Sequence, residues 1–171
     1  MYFITICSKN REQIFGQVVG DGDFDVPQMK LSYLGNVVDK YIHKVDNLYN
    51  NVFIDKFVIM PNHIHMMIAV SNADKDSYND DIRVSYYGTS KIPSPTDLPC
   101  KKTTLTDGQN RANEIIPKFI SLFKRYCNRE IGHDIWQRSY YDHIIRSEND
   151  YKSTWLYIDN NPARWAEDEY F

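Results

Sequence analysis

Two periods organise the apolar residues of this chain. From Gln28 to Tyr49, the positions Leu31, Leu34, Val38, Tyr41, Val45 and Leu48 recur every three or four residues, which predicts an amphipathic helix. A second such stretch, Ala112–Asn128, carries Ile116, Phe119, Phe123 and Tyr126 on one face. Shorter, denser runs read as strands: Tyr2–Cys7, the pair Val52–Met60 and His63–Val70 joined by Pro61-Asn62, and Ile135–Arg146. Gly20-Asp21-Gly22-Asp23 reads as a turn. Ser147, with Asp150 three residues on, resembles a helix N-cap, and the helix it opens should stop at Asn160 or Asn161, before Pro162. Strand, helix, two strands, helix, strand, helix is an α+β order, met most simply by a small antiparallel sheet with helices on one face.

Residues 71–110 break both periods. Ser, Asp, Asn, Thr, Pro, Lys and Gly dominate there, and only Ile82–Tyr87 has the look of a strand. The expectation is a single domain spanning 1–171 with a polar insert at about 71–110, either a loop beside the working site or a dispensable excursion.

Composition narrows the class. With 171 residues, 42% apolar and 14% aromatic, the chain has ample material for one packed core and is not disordered. No apolar run approaches the roughly 18 residues that span a bilayer, and Met1–Ile6 does not read as a signal peptide. The cysteines Cys7, Cys100 and Cys127 are odd in number and lack metal-type spacing, so a reduced cytoplasmic protein is the expectation. The net charge of −3 is low for a nucleic-acid protein, but Arg111, Lys118, Lys124, Arg125 and Arg129 face only Glu114 along the second helix. That local basic surface is compatible with a nucleic-acid backbone and equally with a solvated helix face.

The chemistry concentrates at His63-Ile64-His65. On a strand, residues two apart share a face, so two imidazoles project side by side, a spacing suited to chelating one metal ion. A pair bonded to backbone or water is the other reading. On the last helix, Tyr151, Trp155 and Ile158 make an apolar stripe. Tyr157 falls off that stripe and shares its own face with Asn161, one turn on, so a phenol and an amide are offered together. Asn161 is a candidate oxygen ligand beside the two histidines. Arg138, Arg146 and Arg164 can pair with phosphates or with surface carboxylates, and Trp136, Trp155 and Trp165 can stack bases or pack the core. His143 and Arg146, three apart, fall on opposite sides of a strand. His43 and His133 carry no signal.

Three segments in order, Met60-Pro61-Asn62-His63-Ile64-His65-Met66-Met67, Trp136-Gln137-Arg138-Ser139-Tyr140-Tyr141-Asp142-His143-Ile144-Ile145-Arg146 and Tyr157-Ile158-Asp159-Asn160-Asn161-Pro162-Ala163-Arg164-Trp165, resemble the signatures of one family. It is that of the REP-associated tyrosine transposases, relatives of the single-tyrosine insertion-sequence transposases of the HUH nuclease superfamily. The resemblance implies a ferredoxin-like antiparallel sheet. It also implies that His63, His65 and Asn161 hold a divalent ion, Mg²⁺ or Mn²⁺, and that Tyr157 attacks a phosphodiester of single-stranded DNA, leaving a 5′-phosphotyrosine and a free 3′-OH. Lys118, Lys124, Arg125, Arg138 and Arg146 are then the candidate DNA contacts, with hairpin-bearing single-stranded DNA the expected partner and a homodimer compatible with the C-terminal position of the helix. The chain opens without the basic leader such proteins often carry, which puts hairpin specificity in question. Two other classes stay open: a non-catalytic binder of structured single-stranded DNA, and a His-x-His metal hydrolase or cupin-like enzyme using Zn²⁺ or Fe²⁺.

Overall fold

The computed structural model describes residues 1–20, 26–46, 49, 51–70 and 111–168; the Gly20–Asp23 turn, beyond Gly20, and the whole 71–110 segment with Ile82–Tyr87 and Cys100 lie outside them. Chain order is β1 (Tyr2–Cys7), a 3₁₀ turn at Lys9–Arg11, β2 (Gly16–Val19), β3 (Gln28–Leu31), α1 (Tyr33–Asp46), β4 (Val52–Ile59), β5 (His63–Val70), α2 (Arg111–Ile131), β6 (Tyr141–Ile144), α3 (Glu148–Asn160) and a 3₁₀ turn at Pro162–Glu167. The main sheet runs β4-β5-β1-β6, every neighbour antiparallel. With β1, α1, β4, β5, α2 and β6 in that chain order, this is the ferredoxin-like βαββαβ arrangement, with β2 and β3 paired as a separate hairpin between β1 and α1. Among the described residues no helix is long and apolar enough to cross a membrane.

Strand alternation divides the sheet into two unequal faces. On one, Ile4, Ile6, Ile64, Met66 and Ile68 meet the buried stripes of α1 (Val38, Tyr41, Ile42, Val45) and α2 (Ile116, Phe119, Ile120, Phe123) in the main core. On the other, α3 lays Ile158 against Met67 and Ile145, with Phe3, Val58, Tyr151 and Trp155 partly buried around them. The stripe expected on the last helix is therefore the one that packs. Most helical mass covers the first face, while the second, thinly covered, is where the histidines point.

Several element ends differ from the sequence expectation. The helix placed at Gln28–Tyr49 begins only at Tyr33 and is described as far as Asp46, with Leu48 of the expected stripe outside the described residues. Gln28–Leu31 pairs with Gly16–Val19 instead, because Leu31 continues the helical spacing by coincidence while Ser32 interrupts the helix. The hydroxyl of Ser32 donates to the carbonyl of Ile14 and accepts from the amide of Gly35, a helix start that the spacing of Leu31 and Leu34 conceals. The strand placed at Ile135–Arg146 shrinks to Tyr141–Ile144. Upstream of it only Trp136 touches the ladder, opposite Ser8, since its ring is packed between Phe15 and Phe123. Because β6 ends at Ile144, strand alternation stops before Arg146 and does not separate it from His143. Instead, His143 Nε2 lies 3.1 Å from Asp150 Oδ2, which also accepts the Arg146 amide.

Gly35 fixes how α1 crosses the hairpin. A β-carbon there would stand 2.0 Å from the carbonyl oxygen of Phe15. Glycine to alanine inside an exposed helix usually stabilises by about 1 kcal/mol; here the added methyl meets backbone, and Gly35→Ala is expected to cost about 1–3 kcal/mol instead. Urea midpoints of the two proteins measure the sign, and a more stable variant would show that α1 can lift away from Phe15 freely.

Candidate active site

The turn Pro61-Asn62 delivers the histidines. Met60 N donates to His63 O at 2.8 Å, closing the β4–β5 connection, and the carbonyls of Pro61 and Asn62 accept from Phe15 and Ser8. Register then sets a row across the second face: Val58, His65, Thr5 and Tyr141 lie side by side on β4, β5, β1 and β6. Each imidazole is oriented through its Nδ1. Asn62 Nδ2 donates to Arg11 O, which leaves Asn62 Oδ1 to accept from His63 Nδ1 at 2.8 Å. His63 Nε2 is thereby the unprotonated nitrogen. His65 Nδ1 lies 2.8 Å from Thr5 Oγ1. The two Nε2 atoms face each other at 3.0 Å.

Helix α3 brings the second half of the site. Its N-terminus is capped as the sequence suggests, Ser147 Oγ accepting from Asp150 N. It is tied to β4 by Tyr151 OH donating to Asp55 Oδ2 at 2.9 Å and by Lys56, which pairs with Asp159 at 2.6 Å and lies 4.0 Å over the Trp155 ring. Tyr157 then points along the histidine row, its hydroxyl 3.3 Å from His65 Nε2 and 3.5 Å from Asp168 Oδ2. Phe3 stacks on His65 with centroids 5.0 Å apart and meets the Tyr157 ring edge-on at 5.9 Å. Asn161 Nδ2 donates to Asp168 Oδ2 at 3.1 Å, while Asn161 Oδ1 is buried with no hydrogen-bond partner. A cavity of about 980 Å³ is lined by Phe3, Thr5, His65, Tyr141, Tyr157 and Asn161 among others.

Burial pushes His63 down to about 4, against a smaller upward pull from Asp168, and pushes His65 well below its ordinary value, with His63 adding to the depression. Both are neutral at pH 7: His63 Nε2 presents its lone pair, and His65 Nε2 faces it as the donor of the 3.0 Å hydrogen bond, a proton whose place a cation would take. An orphaned buried carbonyl oxygen and two converging imidazole nitrogens fit a divalent cation. Adjacent corners of an octahedron with bonds of about 2.1 Å lie about 3 Å apart, which is the spacing of the two Nε2 atoms. His63, His65 and Asp168 offer ligand atoms within 4.8 Å of one another.

The same burial sets a pH dependence for the metal-free fold. Unfolded imidazoles titrate near 6.5, whereas the folded pair stays neutral to lower pH. Below 6.5 the unfolded chain takes up protons that the folded chain refuses, so the stability present above that pH is lost as pH falls, for His63 until about 4. The expected slope is about 1.4 kcal/mol per pH unit for each imidazole. Chemical denaturation in chelator between about pH 7 and pH 4 checks it, and a flat profile would mean the pair is solvated in the folded state.

The structure brings Tyr157, His63, His65 and Asn161 together. It gathers Lys124, Arg125 and Arg138 around a separate cavity of about 430 Å³ beside α2. There Lys124 donates its ammonium to the carbonyls of Gln137 and Ser139, and burial lowers its pKa. Lys118 is exposed on α2 and Arg146 is exposed just before α3; neither is among the residues lining that cavity. Trp136 is core, Trp155 lies under Lys56, and Trp165 stands 6.0 Å from His63. Sequence reasoning missed Thr5, Phe3 and Asp168. Strand alternation opposite the histidines points to the first two, whereas Asp168 sits in the acidic run Glu167-Asp168-Glu169 and carries no spacing signal.

No family model matches the chain. An uncharacterized protein of Haemophilus influenzae is 37% identical over 172 residues, covering 99% of this chain and 84% of that protein. Among solved structures, a REP-associated tyrosine transposase bound to a REP hairpin superposes with a TM-score of 0.55 at 17% identity, over 96% of this chain and 67% of that one. The chain therefore belongs to one family with the Haemophilus influenzae protein and is built on the fold of the REP-associated tyrosine transposase.

Proposed function

We propose that this protein is a metal-dependent single-stranded DNA endonuclease and strand transferase of the tyrosine transposase kind. The observation that carries the reading is the meeting of the Tyr157 hydroxyl, the facing nitrogens of two neutral imidazoles and the unpartnered Asn161 oxygen, with Tyr157, His65 and Asn161 lining one cavity. The fold shared with a hairpin-bound transposase supports a DNA substrate with hairpin structure.

In this reading the Tyr157 oxygen attacks a backbone phosphorus in line with the 3′ oxygen. The Tyr157 O–P bond forms, the P–O3′ bond breaks, and the departing oxygen ends as a 3′-OH, the phenol having given up its proton. One phosphodiester replaces another, so a 3′-OH can reverse the step and join strands without a further energy source. A phenol with its pKa near 10 is a weak nucleophile unaided. When bound by His63, His65 and Asn161, Mg²⁺ or Mn²⁺ supplies polarisation of the phosphate and stabilisation of the leaving oxygen. Thr5 and Asn62 keep the Nδ1 atoms engaged so that the Nε2 atoms face the site. Phe3 packs against both His65 and Tyr157 and so helps set one ring relative to the other. Lys118, Lys124, Arg125, Arg138 and Arg146 supply the positive field for the DNA backbone. With a net charge of −3, that binding depends on local patches and should weaken steeply with salt.

The test is a denaturing gel for a covalent protein–DNA adduct, using labelled hairpin oligonucleotides with Mn²⁺, Mg²⁺ or chelator. A metal-dependent adduct is expected. Hairpin binding without adduct under any metal would favour a binding module, and neither binding nor adduct would favour a hydrolase.

A further inference from the structure

We infer that Asp168 is an additional metal ligand, a carboxylate supplied to the histidine pair by the turn that follows α3. The inference rests on the metal-dependent reading above. The Asp168 Oδ2 atom accepts from Asn161 Nδ2 at 3.1 Å and lies 3.5 Å from the Tyr157 hydroxyl, so it stands at the junction of ligand and nucleophile. It belongs with His63 and His65 to a set of donor atoms that all fall within 4.8 Å of one another. Its aim is fixed by the backbone: Pro162–Glu167 forms a 3₁₀ turn closed by Asp168 N donating to Trp165 O, and the Trp165 ring lies beside His63.

Donor chemistry gives the carboxylate its purpose. Two imidazoles and an amide oxygen form a neutral set, and imidazole donors favour Zn²⁺ over Mg²⁺. A carboxylate oxygen adds the hard, anionic donor that Mg²⁺ and Mn²⁺ select and offsets one of the two positive charges brought into a largely buried site. The hydrogen bond from Asn161 to Asp168 leaves the other end of that amide, Oδ1, as the oxygen available to a cation. Asp168 thus orients one ligand and is itself another.

Mn²⁺ alone, titrated into the full-length protein and followed by the electron paramagnetic resonance of free Mn²⁺, tests this. The comparison set is wild type, Asp168→Asn, Glu167→Gln and His63→Ala. Asparagine keeps an oxygen for Asn161 but removes the charge. Glu167, which is exposed and bonded to Arg164, controls for a general field effect. Asp168→Asn is expected to weaken Mn²⁺ at least ~10-fold, Glu167→Gln less than ~2-fold, and His63→Ala to abolish the site. The melting temperature in chelator checks folding, and its rise on adding Mn²⁺, smaller for Asp168→Asn, gives a second readout. Unchanged Mn²⁺ affinity in Asp168→Asn overturns the inference, most directly if single-stranded DNA then binds more tightly in chelator, since the carboxylate would be occupying the phosphate's place. Equal weakening by Glu167→Gln also overturns it. If wild type itself holds no Mn²⁺, the metal-dependent reading falls, and the ligand with it.

Discussion

Tyr157→Phe is expected to remove the covalent protein–DNA adduct entirely while leaving the fold and the Mn²⁺ affinity in place. Phenylalanine preserves the ring that meets Phe3 at 5.9 Å and His65 at 5.2 Å. It deletes only the hydroxyl, the atom that would bond to phosphorus. Tyr157 is 38% exposed, so no cavity opens and the melting temperature should barely move. The loss is total rather than partial because no environment makes a phenyl ring nucleophilic. The informative control is Tyr141→Phe: Tyr141 lines the same cavity and is 57% exposed. Adduct surviving in Tyr157→Phe and vanishing in Tyr141→Phe would assign the nucleophile to the wrong tyrosine and redraw the site around β6.

His65→Ala should separate chemistry from DNA binding. His65 has Thr5 on one ring nitrogen and His63 and Tyr157 on the other. Removing it takes away a cation donor and leaves the Thr5 hydroxyl without this partner. The structural cost, an unpaired buried hydroxyl plus a cavity, is about 1–3 kcal/mol. The catalytic cost is larger: losing metal stabilisation of about 4 kcal/mol corresponds to ~10³ in rate at 1.36 kcal/mol per tenfold. Single-turnover adduct formation measures it, alongside hairpin affinity in chelator, which should be unchanged. Wild-type adduct rates in His65→Ala would show that metal held by this pair has no part in the reaction.

Much of this arrangement was legible in eight residues, His63–Val70. Their alternation sends His63, His65 and Met67 to one face and Ile64, Met66 and Ile68 to the other, as the structure has them. The stripe of Tyr151, Trp155 and Ile158, with Tyr157 off it, was equally readable, because a helix converts spacing into direction. Short strands were not. Gly16–Val19 and Gln28–Leu31 are four residues each and alternate only between half-buried and exposed, so their pattern hardly differs from that of a loop. Upstream of β6, Trp136 turns into the core and Lys124 takes the Gln137 and Ser139 carbonyls, a long-range competition that local pattern does not reveal. Asp168 was illegible for a different reason. Its position depends on a 3₁₀ turn closing on Trp165, and no period relates it to His63 across about 100 residues of chain.

The two unequal faces of the sheet bear on how such a protein tolerates change. One face is sealed by α1 and α2 over fully apolar rows; the other places Thr5, His63, His65 and Asn161 in positions as buried as any leucine would be. Apolar side chains of similar volume would fill those positions without the desolvation that now depresses both imidazoles. If these residues perform the proposed chemistry, stability and activity are opposed at these sites, and mutations there that raise the melting temperature should be easy to find. A screen that rewarded thermal tolerance alone would dismantle the second face first, leaving a sturdier sheet with nothing to do.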